Sequence, residues 1–174
     1  EGKVTGLIAS NENIFILDEF HGLACLDLSG ELVWKSEIKS GGFSLVKLED
    51  RFAVIDSLGR LHYVLMNGEV IELGELHSSV IKIERFGDKL ITAHENGEVR
   101  VVLDGQTIWQ RPSRGEMGES ITAIGSTKDG NLIIGREGYA LVPGDEEALE
   151  LEIWNFSENK LIRRMDLNSR LMVT

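Results

Sequence analysis

Residues 13–34 read NIFILDEFHGLACLDLSGELVW, and residues 51–72 read RFAVIDSLGRLHYVLMNGEVIE. The second stretch is the first moved on by 38 positions without a gap, so that Ser29-Gly30 falls on Asn67-Gly68. A further step of 38 sets 52–59 on 90–97, and one deletion then brings Asn67-Gly68 onto Asp104-Gly105. Short apolar runs punctuated by glycine turns at such a period predict a stack or ring of small antiparallel sheets.

Working outward, the chain divides into four units with four strands each. The first offers 4–9, 13–18, 23–28 and 31–38; the second 43–48, 51–56, 60–66 and 69–74. The third offers 80–86, 89–94, 98–103 and 106–110; the fourth 121–126, 131–135, 149–156 and 160–167. Val, Ile, Leu and Phe dominate these runs, and the breaks fall at Ser29-Gly30, Asn67-Gly68, Asn96-Gly97, Asp104-Gly105 and Asp129-Gly130. Asn-Gly and Asp-Gly suit two-residue hairpin turns because both central residues need positive φ. No window of roughly 11–18 residues holds a helical period. The fold class is all-β.

Composition narrows the function. The 174 residues carry 29 acidic against 18 basic side chains, a net charge of −11, with 42% hydrophobic residues. That balance disfavours a phosphate backbone, which is bound largely through Lys and Arg displacing counterions, and permits basic protein partners. No apolar stretch approaches the length of a membrane-spanning helix. Cys25 is the single cysteine. It excludes an intramolecular disulfide and a cysteine-based zinc site, and makes a reducing, cytoplasmic setting the default expectation. The four histidines (His21, His62, His77, His94) show no zinc-binding spacing. No serine sits in a nucleophile elbow, and no glycine-rich loop opens a helix. Neither a catalytic constellation nor a cofactor is expected. Trp34, Trp109 and Trp154 are expected to pack outer strands between units.

Residues 76–102, LHSSVIKIERFGDKLITAHENGEVRVV, resemble a WD40 repeat. His77 stands at the family's strand-A histidine, with Leu76 in place of its glycine, and Asn96-Gly97 in place of Asp-Gly. Residues 121–138 follow the same pattern, and Ile153-Trp154-Asn155 resembles the dipeptide that closes strand C. Residues 25–34, CLDLSGELVW, are instead similar to quinoprotein-like propeller repeats through Asp27, Gly30 and Trp34. The resemblance implies a β-propeller of four-stranded antiparallel blades, about 4–42, 43–79, 80–120 and 121–169, with 170–174 (RLMVT) opening a fifth. The WD40 family's His–Ser–Asp–Trp hydrogen-bond chain is complete in no unit, which leaves sheet packing to hold the third. Three readings of the blade count stay open: a fragment of a larger propeller, part of a ring completed by another chain, or a closed ring of four. The apolar character of 4–9 and 171–173 favours burial of those ends against something else.

In a propeller, the B–C turns and the connections between blades share one face, the family's usual binding face. The repeat puts Asp18, Asp56, His94 and Arg136 at one equivalent position at the end of strand B, an arc able to recognise a polar partner. Alternatively, polar residues simply belong where a strand meets a turn. The fourth unit carries the longest insertion, 136–150, whose Asp145, Glu146, Glu147 and Glu150 read as a second partner-binding element; Pro143-Gly144 predicts its bend. Arg111 and Arg114, in the connection 111–120, are placed to contact that acidic tip or a partner. The leading expectation is a non-enzymatic propeller scaffold that binds protein through its loop face. The alternative is a quinoprotein-like enzyme or sensor with a small ligand or cofactor in the central channel. Self-association through unclosed edges is a third.

Overall fold

The computed structural model describes residues 2–75, 78–114, 118–138 and 149–167. It contains four antiparallel sheets of four strands, each in simple up-and-down order. Blade 1 comprises β1 (Val4–Ala9), β2 (Asn13–Asp18), β3 (Gly22–Asp27) and β4 (Leu32–Glu37). Blade 2 comprises β5 (Gly42–Lys47), β6 (Arg51–Asp56), β7 (Arg60–Leu65) and β8 (Val70–Glu75). Blade 3 comprises β9 (Val80–Phe86), β10 (Lys89–His94), β11 (Val99–Leu103) and β12 (Gln106–Arg111). Blade 4 comprises β13 (Glu119–Ser126), β14 (Asn131–Gly138), β15 (Leu149–Asn155) and β16 (Lys160–Asp166). The all-β expectation holds, and most strand limits fall within a residue or two of those read from the sequence. The main departure is β14, which runs three residues further because Glu137 still pairs with Leu149 across the insertion. His77, Pro143, Gly144, Asp145, Glu146, Glu147 and 170–174 lie outside the described residues.

The two-residue turn expected at each Asn-Gly and Asp-Gly forms only at Asp104-Gly105; at Gly30, Gly68, Gly97 and Gly130 the glycine alone takes positive φ, in longer loops closed by bonds such as that from the Leu65 amide to the Glu69 carbonyl. Asp104 and Gly105 both take positive φ (48° and 79°), the pair of left-handed conformations that a tight β11–β12 hairpin requires. Every first strand also carries a one-residue bulge opposite the end of the second strand. It falls at Thr5, Phe43, Ile81 and Thr122, between the pairs Val4–Asp18 and Gly6–Leu17 and their three equivalents. A bulge interrupts alternation and re-aims the extra side chain, so these four residues leave the regular in–out pattern of their strands.

The inner strands pack in chain order, β1 on β5, β5 on β9 and β9 on β13. Alternate residues of the middle strands point to opposite faces of each sheet, so each blade has one face for its predecessor and one for its successor. Phe15, Leu17, Leu23 and Cys25 of blade 1 meet Phe52, Val54 and Val64 of blade 2. Ala53, Ile55, Leu61 and Tyr63 then meet Val80, Ile83, Leu90 and Val102 of blade 3. Ile91, Ala93, Val99 and Val101 meet Ile121, Leu132 and Ile134 of blade 4, joined by Trp109 and Trp154. Trp34 and Phe15 in the first seam, and Trp109 and Trp154 in the third, place all three tryptophans between blades as expected. Four blades therefore make three seams among the described residues. Among the described residues the blades form an open arc, with blade 4 making no such seam with blade 1.

Candidate protein-binding face

The repeat position shared by Asp18, Asp56, His94 and Arg136 has the same parity as Phe52, Val54 and their equivalents. It faces the preceding blade, so three of the four residues are covered. Asp56 is buried and accepts hydrogen bonds from the Leu58 and Arg60 amides (both 2.9 Å), Arg60 Nε (2.8 Å) and His62 Nε2 (3.0 Å). Arg60 in turn reaches Ser40, in the connection from blade 1. His94 is buried with Nδ1 3.1 Å from the Ser78 carbonyl and Nε2 2.9 Å from the Thr92 hydroxyl. The Ser78 hydroxyl also lies 2.9 Å from Nδ1; with Nδ1 protonated, as the carbonyl requires, both Ser78 oxygens accept from it and Nε2 accepts from Thr92. The third blade thus has a polar chain of its own, Ser78–His94–Thr92, in addition to the sheet packing expected to hold it. Asp18 alone has no preceding blade. Its side chain is 24% exposed and its carboxylate accepts from the Phe20 and His21 amides (2.8 and 3.0 Å) and pairs with the His21 ring. The Phe20 amide and His21 ring hold its pKa below the ordinary carboxylate value.

Arg136 belongs to a buried ionic cluster that fastens blade 4 to blade 3. Arg111, fully buried at the end of β12, places Nε 2.9 Å from Glu152 Oε2 and Nη2 3.1 Å from Glu119 Oε2, and Nη1 also pairs with Glu119. Arg136 pairs with Glu119 and, through Nη1, with Glu150 at 2.5 Å. Arg114 reaches Glu152 at 3.2 Å, and Trp154 Nε1 donates to the same carboxylate at 2.8 Å. The sequence reading pointed Arg111 and Arg114 at the acidic tip of the insertion or at a partner. The structure turns both toward Glu119 and Glu152, because a guanidinium at a blade seam needs carboxylates within reach to be buried at all. Arg136 and Glu150, read as members of two separate binding elements, are bonded to each other. Asp145, Glu146 and Glu147 lie outside the described residues.

These groups make folding sensitive to acid. Burial pushes the His94 pKa below 6.5. Burial raises the Glu152 and Asp56 carboxyls, but hydrogen bonds from Arg111 and Trp154, and from Arg60 and His62, more than reverse it and leave both below their ordinary values of 4.5 and 3.8. In all three cases the unfolded chain binds the proton more readily. Their contributions are complete above the unfolded pKa and are lost as pH falls through the folded one. Urea midpoints measured from neutral to acidic pH should decline in two stages, the first beginning below 6.5 and the second below 4.5. His94→Asn should remove the first stage only; a midpoint flat to pH 5 in the unaltered chain would contradict the reading.

With the charged positions engaged, the loop face is left with apolar ones. Phe20 and Leu58 occupy the same place in the β2–β3 and β6–β7 turns and are 60% and 63% exposed. Phe43, the bulge residue of β5, is 51% exposed and shares a pocket lining with Leu58. Gly41 lets the connection lie against the Glu19–Phe20 backbone: a Cβ there would collide with the Glu19 carbonyl, and its φ is +69°. Phe43 borders two pockets, one of about 350 Å³ with Lys3, Val4, Thr5, Glu19 and Ser57, the other of about 300 Å³ with Asp56, Ser57, Leu58 and Ser79. Below them, Phe43 also lines a wider groove of about 450 Å³ along the inner strands, with Ser44, Ile81, Lys82, Glu84 and Ile124. Among the described residues no group of three or more His, Cys, Asp or Glu is arranged to hold a metal ion.

No protein-family model matches the chain, and no curated protein matches it in sequence. Solved structures do match. The designed protein Ika8 superimposes with a TM-score of 0.71 at 15% identity, over 94% of this chain and 49% of that one. The WD40 β-propeller domain of Doa1 gives 0.65 at 14%, over 95% and 54%. The fold is that of a β-propeller. BBS1N, solved in complex with ARL6DN, gives 0.65 at 15%, over 95% and 50%. The chain spans about half the length of these three propellers.

Proposed function

We propose that this β-propeller is a non-enzymatic scaffold that binds a protein segment on its loop face, with Phe43 at the centre of contact. The observation that carries this is exposed Phe43 bordering two adjoining pockets, one of them also lined by exposed Leu58, on a face whose charged repeat residues are mostly occupied internally. Exposed aromatics beside small concavities supply contact area with few rotamers to freeze, and such residues dominate binding energy at protein interfaces. Glu19 borders the patch, and the chain is acidic overall. The fitting segment therefore presents an apolar side chain to Phe43 with basic residues beside it. BBS1N being solved with a protein partner supports the class of ligand, as does the general use of propeller loop faces.

Selection of a displayed peptide library on the purified chain tests the site. Peptides enriched on the unaltered protein should bind Phe43→Asp at least about tenfold more weakly, since a buried charge replaces an aromatic anchor. Leu28→Asp is the control: Leu28 is similarly exposed, but on the β3–β4 turn at the opposite end of the blade. Equal affinity for Phe43→Asp, or an equal loss in Leu28→Asp, would contradict the assignment.

A further inference from the structure

The two outermost sheet faces of the arc each display one half of a seam. In blades 2 and 3 the positions facing the preceding blade are Phe52, Val54 and Val64, then Leu90, Thr92 and Val102, all fully buried. The equivalents in blade 1 are Ile14, Ile16 and Leu26, each only partly covered, and Leu7, paired with Ile16, is 63% exposed. At the other end the pattern is mirrored. Positions facing the following blade are buried as Phe15, Leu23 and Cys25, as Ala53, Leu61 and Tyr63, and as Ile91, Val99 and Val101. In blade 4 they are Ile133, Leu151 and Ile153, again partly covered. Sheet faces of this apolar character are ordinarily buried against another layer.

We propose that a second copy of this chain completes the ring, the blade 1 face of each copy seating on the blade 4 face of the other. The chain carries one face of each hand, which is what closure about a two-fold axis needs. It spans about half the length of Ika8, BBS1N and the Doa1 domain, and two copies match the extent of each of them. The product has eight blades, within the range of roughly four to eight for such rings. The same closure covers Asp18, the one repeat-position residue with no blade before it, as Asp56 and His94 are covered.

Light scattering and sedimentation of the 174-residue chain should give twice its 19.3 kDa mass. The thermal midpoint should rise with protein concentration, because association is linked to folding. Ile16→Arg and Ile153→Arg should each raise the dimer dissociation constant by about a hundredfold, through a charge forced into an apolar seam. Should either arginine variant fail to fold, Ile16→Thr serves in its place. Threonine is native at the equivalent Thr92, and a loss of about tenfold is expected from the lost apolar contact. A chain that is monomeric at every concentration, a dimer indifferent to both faces, or an assembly larger than two copies overturns the proposal.

Discussion

Replacing Arg111 with alanine is expected to cost about 3–5 kcal/mol, the penalty of leaving buried carboxylates without their cation. Arg111 is fully buried and bridges Glu119 and Glu152, themselves inaccessible, so no water can take its place without the seam opening. Arg136 and Arg114 remain beside those carboxylates and soften the loss without replacing the two-sided fork of Arg111. The damage should be local. In a repeat protein each unit is held chiefly by its neighbours, so stability can fail one interface at a time. Hydrogen exchange should show β14–β16 losing protection first while β6 and β7 keep theirs. A change under about 1 kcal/mol would mean that the cluster is hydrated in solution and that the seam rests on its apolar contacts, Trp109 and Trp154 among them. A triple replacement of Arg111, Glu119 and Glu152 by apolar residues of similar size should recover most of the loss, because the isolated charge and not the missing pair is what destabilises.

The second large effect is expected at the other end of the arc. Phe52→Ala should cost about 3–5 kcal/mol through lost apolar burial and the cavity left behind. The Phe52 ring lies 4.5 Å from that of Phe15, centroid to centroid, in the middle of the only described seam that joins blade 1 to the rest. Loss of protection should therefore begin in β2 and β3, the reverse of the order expected for Arg111→Ala. A uniform loss over all four blades would show that the arc unfolds as a single cooperative unit.

The architecture was legible because the local signals agree with one another: turn dipeptides, apolar runs and the 38-residue offset all place the same strands. The site was less so. Asp56, His94 and Arg136 each end a strand beside a turn, which in sequence reads as an exposed edge. Their burial follows from side-chain parity, since counting in twos from Phe52 and Val54 leads to Asp56 on the covered face. Which face a neighbouring blade covers is a tertiary fact that no single strand states. Phe43 was passed over for a different reason. It reads as an ordinary first residue of a strand, and only the bulge between Gly42 and Ser44 turns it outward. A signal was present in the repeat: Phe20 and Leu58 stand at equivalent turn positions where the third unit has Asn96.

The three seams are built from different materials, and this sets an order of failure. The first is mainly aromatic and aliphatic, around Phe15, Phe52 and Trp34, with the Asp56 carboxylate and its Arg60 and His62 partners at its edge. The second adds the titrating imidazole of His94, and the third the charges around Arg111. Cooling weakens apolar contact, mild acid reaches the imidazole, and stronger acid reaches the carboxylates. Where the arc parts is thus chosen by the solvent: cold favours release of the first blade, mild acid parting at the second seam, and stronger acid loosens the carboxylate-bearing first and third.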